Sequence, residues 1–182
     1  MQTPEAFLQC QDKCHALRLE ADGKSGDGIH ALFASFMKSS FTVMLAVATD
    51  RSLRETAEYK MYQEDLLWWI RHEYTLLLSY ITTTDLLAQE YDMWAHGFVN
   101  WPDIPWRRSV LQFVLETLDM SALLPSEEAR LLLTLMVSSL DNTIHSVEEE
   151  AENLRLPVPK GIPHSHWWYF LNGAPYSVSN VC

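Results

Sequence analysis

SEEARLLLTLMVSSLDNTIHSVEEEAENL, residues 126–154, decides the fold class. Within it Leu133, Met136, Leu140, Ile144, Val147, Ala151 and Leu154 recur at spacings of three and four, which is one face of a helix and not the alternation of a strand. Leu124-Pro125-Ser126-Glu127-Glu128 precedes it and reads as a capped start. Ser126 offers an oxygen to orphan backbone donors, and the two acids sit at the positive end of the helix dipole. The spacing predicts one long helix, or two stacked ones broken near Asp141.

The same period continues toward the N-terminus. Thr3 can cap a helix with Pro4 at its first position, after which Phe7, Cys10, Cys14 and Leu17 keep the helical spacing. Asp22 to Gly28 holds three of the six glycines and reads as a loop. It lacks the Gly-x-x-x-x-Gly-Lys-Ser/Thr order of a phosphate cradle. Leu32, Phe36, Val43 and Val47 then predict a second helix. Ser52-Leu53-Arg54-Glu55 matches a capping box and predicts a third helix starting there. Leu67, Ile70, Tyr74, Leu77, Leu78 and Ile81 hold one face of that helix or its continuation, and Thr82 to Asp85 suggests a weak stretch and a fresh cap. The helix after it is expected to reach about His96, stopped by Gly97. Trp101-Pro102-Asp103-Ile104-Pro105-Trp106 reads as a stiff linker that is not helical through its middle. Val110, Leu111, Val114 and Leu118 form the next stripe.

After Leu156 the pattern changes: Pro157, Pro159, Gly161 and Pro163 precede His164-Ser165-His166-Trp167-Trp168. The expected architecture is therefore all-α: a single-domain bundle of about six to eight helices over residues 1–156, with an extended aromatic tail, 157–182, packed on the same domain. A length of 182 residues with 48% apolar content suits one core that needs no disulfide or metal staple. The longest unbroken apolar run, Val43 to Ala48, is short of the roughly 20 residues of a membrane span, and no secretory signal is visible. With three cysteines, a cytoplasmic protein is expected, without membrane association.

The formal charge is −11, spread over both halves: 14 acids against 8 bases in residues 1–100, and 10 against 5 thereafter. Arg107-Arg108 is the only adjacent basic pair, so a nucleic-acid partner is not expected. The acidity instead favours fast encounter with a basic protein. Asp141, His145, Glu148 and Glu152 form a column about a quarter-turn from the apolar seam, with Glu149 beside it. This rail reads as a solvated face, a partner-binding face or, less readily, a metal site, because one helix supplies at most three ligands and no Glu-x-x-His occurs. Glu55, Glu58, Glu64 and Asp65 are further candidates for complementary charge.

His164 and His166 share a side of an extended segment and form a second metal candidate, although a Pro-rich arm ending in two tryptophans reads first as a tail anchor. Cys10, Cys14 and His15 read as buried small residues in preference to a zinc site. No Gly-x-Ser-x-Gly or His-Glu-x-x-His signature is present. His72-Glu73 is the one sequence-level candidate for a general base. No cofactor and no enzymatic activity are expected. The rival class is a metal-dependent helical-bundle enzyme using His145, Glu148 and Glu149 with His72, His164 or His166; a structural or adaptor subunit is a third.

A small, acidic, all-helical chain with the late block Pro163-His164-Ser165-His166-Trp167-Trp168 resembles the helical immunity proteins of bacterial polymorphic toxin systems, including those of contact-dependent growth inhibition. The resemblance implies a cytoplasmic inhibitor that binds a basic toxin domain, often a nuclease, and covers its active site. Asp141, His145, Glu148, Glu149 and Glu152, with Glu55, Glu58, Glu64 and Asp65, would then form the contact surface.

Overall fold

The computed structural model describes residues 5–23, 26–94, 103–118, 124, 126–146 and 158–169. Six α-helices run through them: α1 (Glu5–Gly23), α2 (Gly26–Thr49), α3 (Ala57–His72), α4 (Tyr74–Trp94), α5 (Asp103–Thr117) and α6 (Glu127–Ser146). Two short 3-10 turns, Arg51–Glu55 and Trp167–Tyr169, complete the order, and there is no strand among the described residues. The expected all-α class is observed.

Helix α2 is the axis of the bundle, with α1, α4 and α5 packed on it; α3 touches α1 and α4, and α6 lies along α4. By length and composition alone residues 28–49 would suffice to cross a membrane, with a mean hydropathy of 1.6. Here Phe33, Phe36, Met37, Val43, Met44 and Val47 of that helix are buried in the bundle core. Ser39, Ser40 and Thr42 interrupt the apolar run, and their hydroxyls return to the helix backbone: Ser39 to Ser35, Ser40 to Phe36 and Thr42 to Ser39. A central helix surrounded on several sides becomes apolar nearly all round.

The first stripe is confirmed: Phe7, Cys10, Cys14 and Leu17 are all buried. Both thiols meet polar partners there. Cys10 Sγ lies 3.9 Å from Ser40 Oγ, and Trp69 Nε1 donates to Cys14 Sγ at 3.4 Å. Aromatic rings fill the space between α1, α3 and α5, with Phe7 edge-on to Tyr59 and Tyr62 stacked on Phe113.

Four local expectations are corrected. The glycine-rich loop is shorter than its composition suggested, because α1 runs to Gly23 and α2 starts at Gly26. The box at Ser52 does not open α3. Asp50 caps the 3-10 turn by accepting from Ser52 N at 3.0 Å, and Thr56 caps α3 by accepting from Tyr59 N at 3.2 Å. Thr82, Thr83 and Thr84 do not break α4, since each hydroxyl bonds the carbonyl four residues back. Asp85 is therefore no cap; it reaches across to α6, accepting from Thr143 Oγ1 at 2.6 Å and Ser139 Oγ at 3.3 Å. Finally, Ile104, Pro105 and Trp106 are helical, because Pro105 falls in the first turn of α5, where a missing N–H forfeits no intrahelical bond. At α6 the reading holds: Ser126 Oγ accepts from Ala129 N at 3.2 Å, and the helix passes unbroken through Asp141.

Burial raises the thiol of Cys10 to about 12 and that of Cys14 above its ordinary value as well. Alkylation of the native protein at pH 8, mapped by peptide mass spectrometry, is expected to spare Cys10 and Cys14, and unfolding in denaturant to expose both. Rapid labelling of either in the native state would contradict this packing.

Candidate functional site

Asp141 is not part of an open acidic rail. Arg108 of α5 is buried, its side chain 5% exposed, and grips Asp141 with both arms of its guanidinium: Nε to Oδ1 at 2.6 Å and Nη2 to Oδ2 at 3.0 Å. Nη1 donates to Gln112 Oε1 at 3.1 Å. Asp141 is thus committed to neutralising a buried cation, which is why an acid a quarter-turn from the seam ends up half-covered. Glu148, Glu149 and Glu152 lie outside the described residues. His145 is exposed, with its ring stacked 3.9 Å from that of Trp167.

Within the described part of the tail, residues 158–169, Trp168 is packed onto α5; residues 157 and 170–182 of the expected tail lie outside the described residues. The arm crosses the end of α2 at Gly161, whose φ of +91° suits glycine and whose missing Cβ would meet Thr49 Oγ1 at 3.3 Å. Trp168 is then seated over Arg108, the guanidinium carbon 4.4 Å from the ring centre, and donates Nε1 to Ser109 Oγ at 2.8 Å. His166 is 1% exposed, and its Nδ1 lies 2.9 Å from the same Ser109 oxygen. Because the indole already donates to that oxygen, the serine proton is free to go to the imidazole. Nε2 of His166 is buried without a hydrogen-bond partner. Burial lowers its pKa to about 4, against an upward pull from Glu116 and with a further downward push from Arg108. His166 therefore works as a neutral tail fastener. His164 is exposed, and His72 stacks on Trp68 with Nδ1 2.9 Å from the Trp68 carbonyl. No group of three or more His, Cys, Asp or Glu side chains among the described residues is placed to hold a metal.

The second acidic set falls on and just before α3. Tyr59, Tyr62, Leu66, Trp69 and Ile70 bury one side of that helix, which leaves Met61, Glu64 and Trp68 at helical spacing on the outer side. Met61 is 50% and Trp68 39% exposed. Glu55 and Glu64 are exposed, Glu58 and Asp65 half-covered, and Asp65 pairs with Arg18 of α1. The Arg18 guanidinium also lies 5.6 Å from the Trp68 ring, so the indole has a cationic neighbour while still presented to solvent. Met61 and Trp68 were not among the sequence-level candidates. Their signal was the phase of α3: once Leu66, Trp69 and Ile70 face inward, Met61 and Trp68 must face out. No protein-family model matches this chain, and neither does any curated protein or solved structure.

The fastening of the tail depends on pH with a definite sign. Unfolded, His166 titrates near the ordinary ~6.5; folded, it titrates near 4. The unfolded state therefore binds the extra proton between these values, so stability is fully present above about pH 6.5, falls as the pH drops toward 4, and is flat below. Denaturant unfolding is expected to register a loss of about 2–3 kcal/mol over that window, reduced in His166→Gln. A Ser109→Ala change, which leaves the Trp168 indole N–H without an acceptor, is expected to cost about 1–3 kcal/mol in the same measurement.

Proposed function

We propose that this chain is a binding protein of the immunity type, a cytoplasmic inhibitor that docks on a basic toxin domain through the outer face of α3. The observation that carries this reading is the pairing of two exposed anchors, Met61 and Trp68, with Glu64 between them on a chain of net charge −11. A large flat indole and an adaptable thioether that stay exposed beside acids combine what an interface needs: a desolvated centre for affinity and complementary charge for rate. Glu55 and Glu58 add negative charge at the start of the face. Asp141 already neutralises Arg108, so it adds less net charge to such a surface than an unpaired acid. The acids beyond Ser146, Glu148, Glu149 and Glu152, belong to the proposed contact surface on charge grounds alone.

The reading expects a large secreted protein to be encoded immediately upstream, and the test is co-expression with that protein's C-terminal domain, scored as growth rescue. Association and dissociation are then followed by surface plasmon resonance at low and physiological salt. Rescue is expected. Glu55→Lys with Glu64→Lys should slow association severalfold at low salt and flatten its salt dependence, whereas Trp68→Ala should speed dissociation by roughly tenfold or more. An upstream gene without such a domain, or kinetics indifferent to all three changes, would overturn the proposal.

A further inference from the structure

The two consecutive arginines of α5 have opposite fates. Arg108 is neutralised by Asp141, whereas Arg107, about 100° around the helix, lines a cavity of about 260 Å³ among α2, α4 and α5, with His30, Phe33, Leu76, Ser79 and Thr83. Arg107 has no ion-pair partner among the described residues, and its Nε is buried without a hydrogen bond. The acid in the first turn of its own helix, Asp103, is occupied by Trp106 Nε1 at 2.9 Å. Rings supply part of what a carboxylate would: the guanidinium carbon lies 5.4 Å from the Tyr80 ring centre and 5.1 Å from that of Trp106. In a chain with 24 acids and 13 bases, a half-buried guanidinium that draws no acid among the described residues is left for an anion from outside.

The remaining wall says which anion. Phe33, Leu76 and two alanines, Ala31 and Ala34, give the cavity an apolar lining, and the Phe33 and Tyr80 rings meet edge-on, 6.3 Å apart. Thr83 gives its proton to the Ser79 carbonyl, which leaves the Ser79 hydroxyl and the His30 ring as polar groups beside Arg107. A cavity of ~150 Å³ already holds a benzene ring, so 260 Å³ has room for a ring and a short acidic arm. One planar guanidinium suits a carboxylate bound through two parallel bonds, and apolar walls do not compensate the desolvation of a phosphate dianion. We infer that this cavity binds a small aromatic carboxylate, its acid group on Arg107 and its ring between Phe33 and Leu76.

Sodium benzoate titrated into the full chain, followed by backbone amide NMR shifts and by the thermal midpoint, tests this. Saturable shifts centred on Phe33, Ser79 and Arg107 are expected, together with a raised midpoint. Arg107→Gln should weaken binding by roughly tenfold or more. Ala34→Leu, which keeps the cation and fills the cavity, should abolish it. If Arg107→Gln disturbs the stacking on Tyr80 and Trp106, as circular dichroism would register, Arg107→Lys keeps the charge without the planar fork and is also expected to weaken binding. Benzylamine or inorganic phosphate binding as well as benzoate would overturn the inference. So would benzoate binding unchanged in Arg107→Gln or Ala34→Leu, or no saturable shift by about 10 mM, tenfold above a ~1 mM dissociation constant.

Discussion

The Arg108–Asp141 pair is the constraint on which the rest of this structure depends. A guanidinium 5% exposed needs a counter-charge and occupied hydrogen bonds, and both arms of the carboxylate and the Gln112 amide supply them. Meeting that need ties α5 to α6, a helix whose main packing is along α4. It also creates the flat cationic seat on which Trp168 lies, and Ser109, the next residue, takes the indole proton. One turn of α5 thereby holds a helix and the tail in register. Removing Asp141 would leave the buried Arg108 charge alone, a heavier loss than replacing both partners with apolar groups.

The division between core and surface follows from that arrangement. Burying the tail on α5 and α6 uses Trp168 and His166, and the aromatic cluster of α1, α3 and α5 uses Tyr59, Tyr62 and Trp69. Trp68 and Met61 are left outside by helical phase, and Arg18 and His72 brace Trp68 without covering it. Two adjacent tryptophans on one helix thus have different jobs: Trp69 closes the core on Cys14, and Trp68 meets solvent.

Much of the fold was legible because apolar period is a direct record of burial. The stripe of α1 could be read residue by residue, most of the described stripes of α2 and α6 as well, and so could the Ser126 cap; Val147, Ala151 and Leu154 of the last stripe lie outside the described residues. What could not be read turned on competition between local signals. Ser52 and Glu55 satisfy the capping pattern, but Asp50 and Thr56 on either side make the actual caps. Pro105 looks like a breaker and is harmless, because only its distance from the helix start decides its cost. The candidate site was less legible still. Asp141 looks solvated from its phase on α6, and nothing local reveals that an arginine 33 positions earlier is buried beneath it. The Arg107-Arg108 pair, weighed as a trace of nucleic-acid binding, is instead one structural cation and one lining a cavity.

The tail clamp also bears on the order of assembly. Ser109 and Trp168 are 59 positions apart, whereas α1 and α2 are joined by a connection of two residues and can zip as neighbours. Closing the longer loop gives up more chain entropy, and its reward exists only once α5 has formed and presents Arg108 and Ser109. On loop-closure grounds the clamp is expected to form late in folding. A contact made after the main barrier acts on the escape rate from the native state far more than on the rate of reaching it, which would make the aromatic arm a latch against opening.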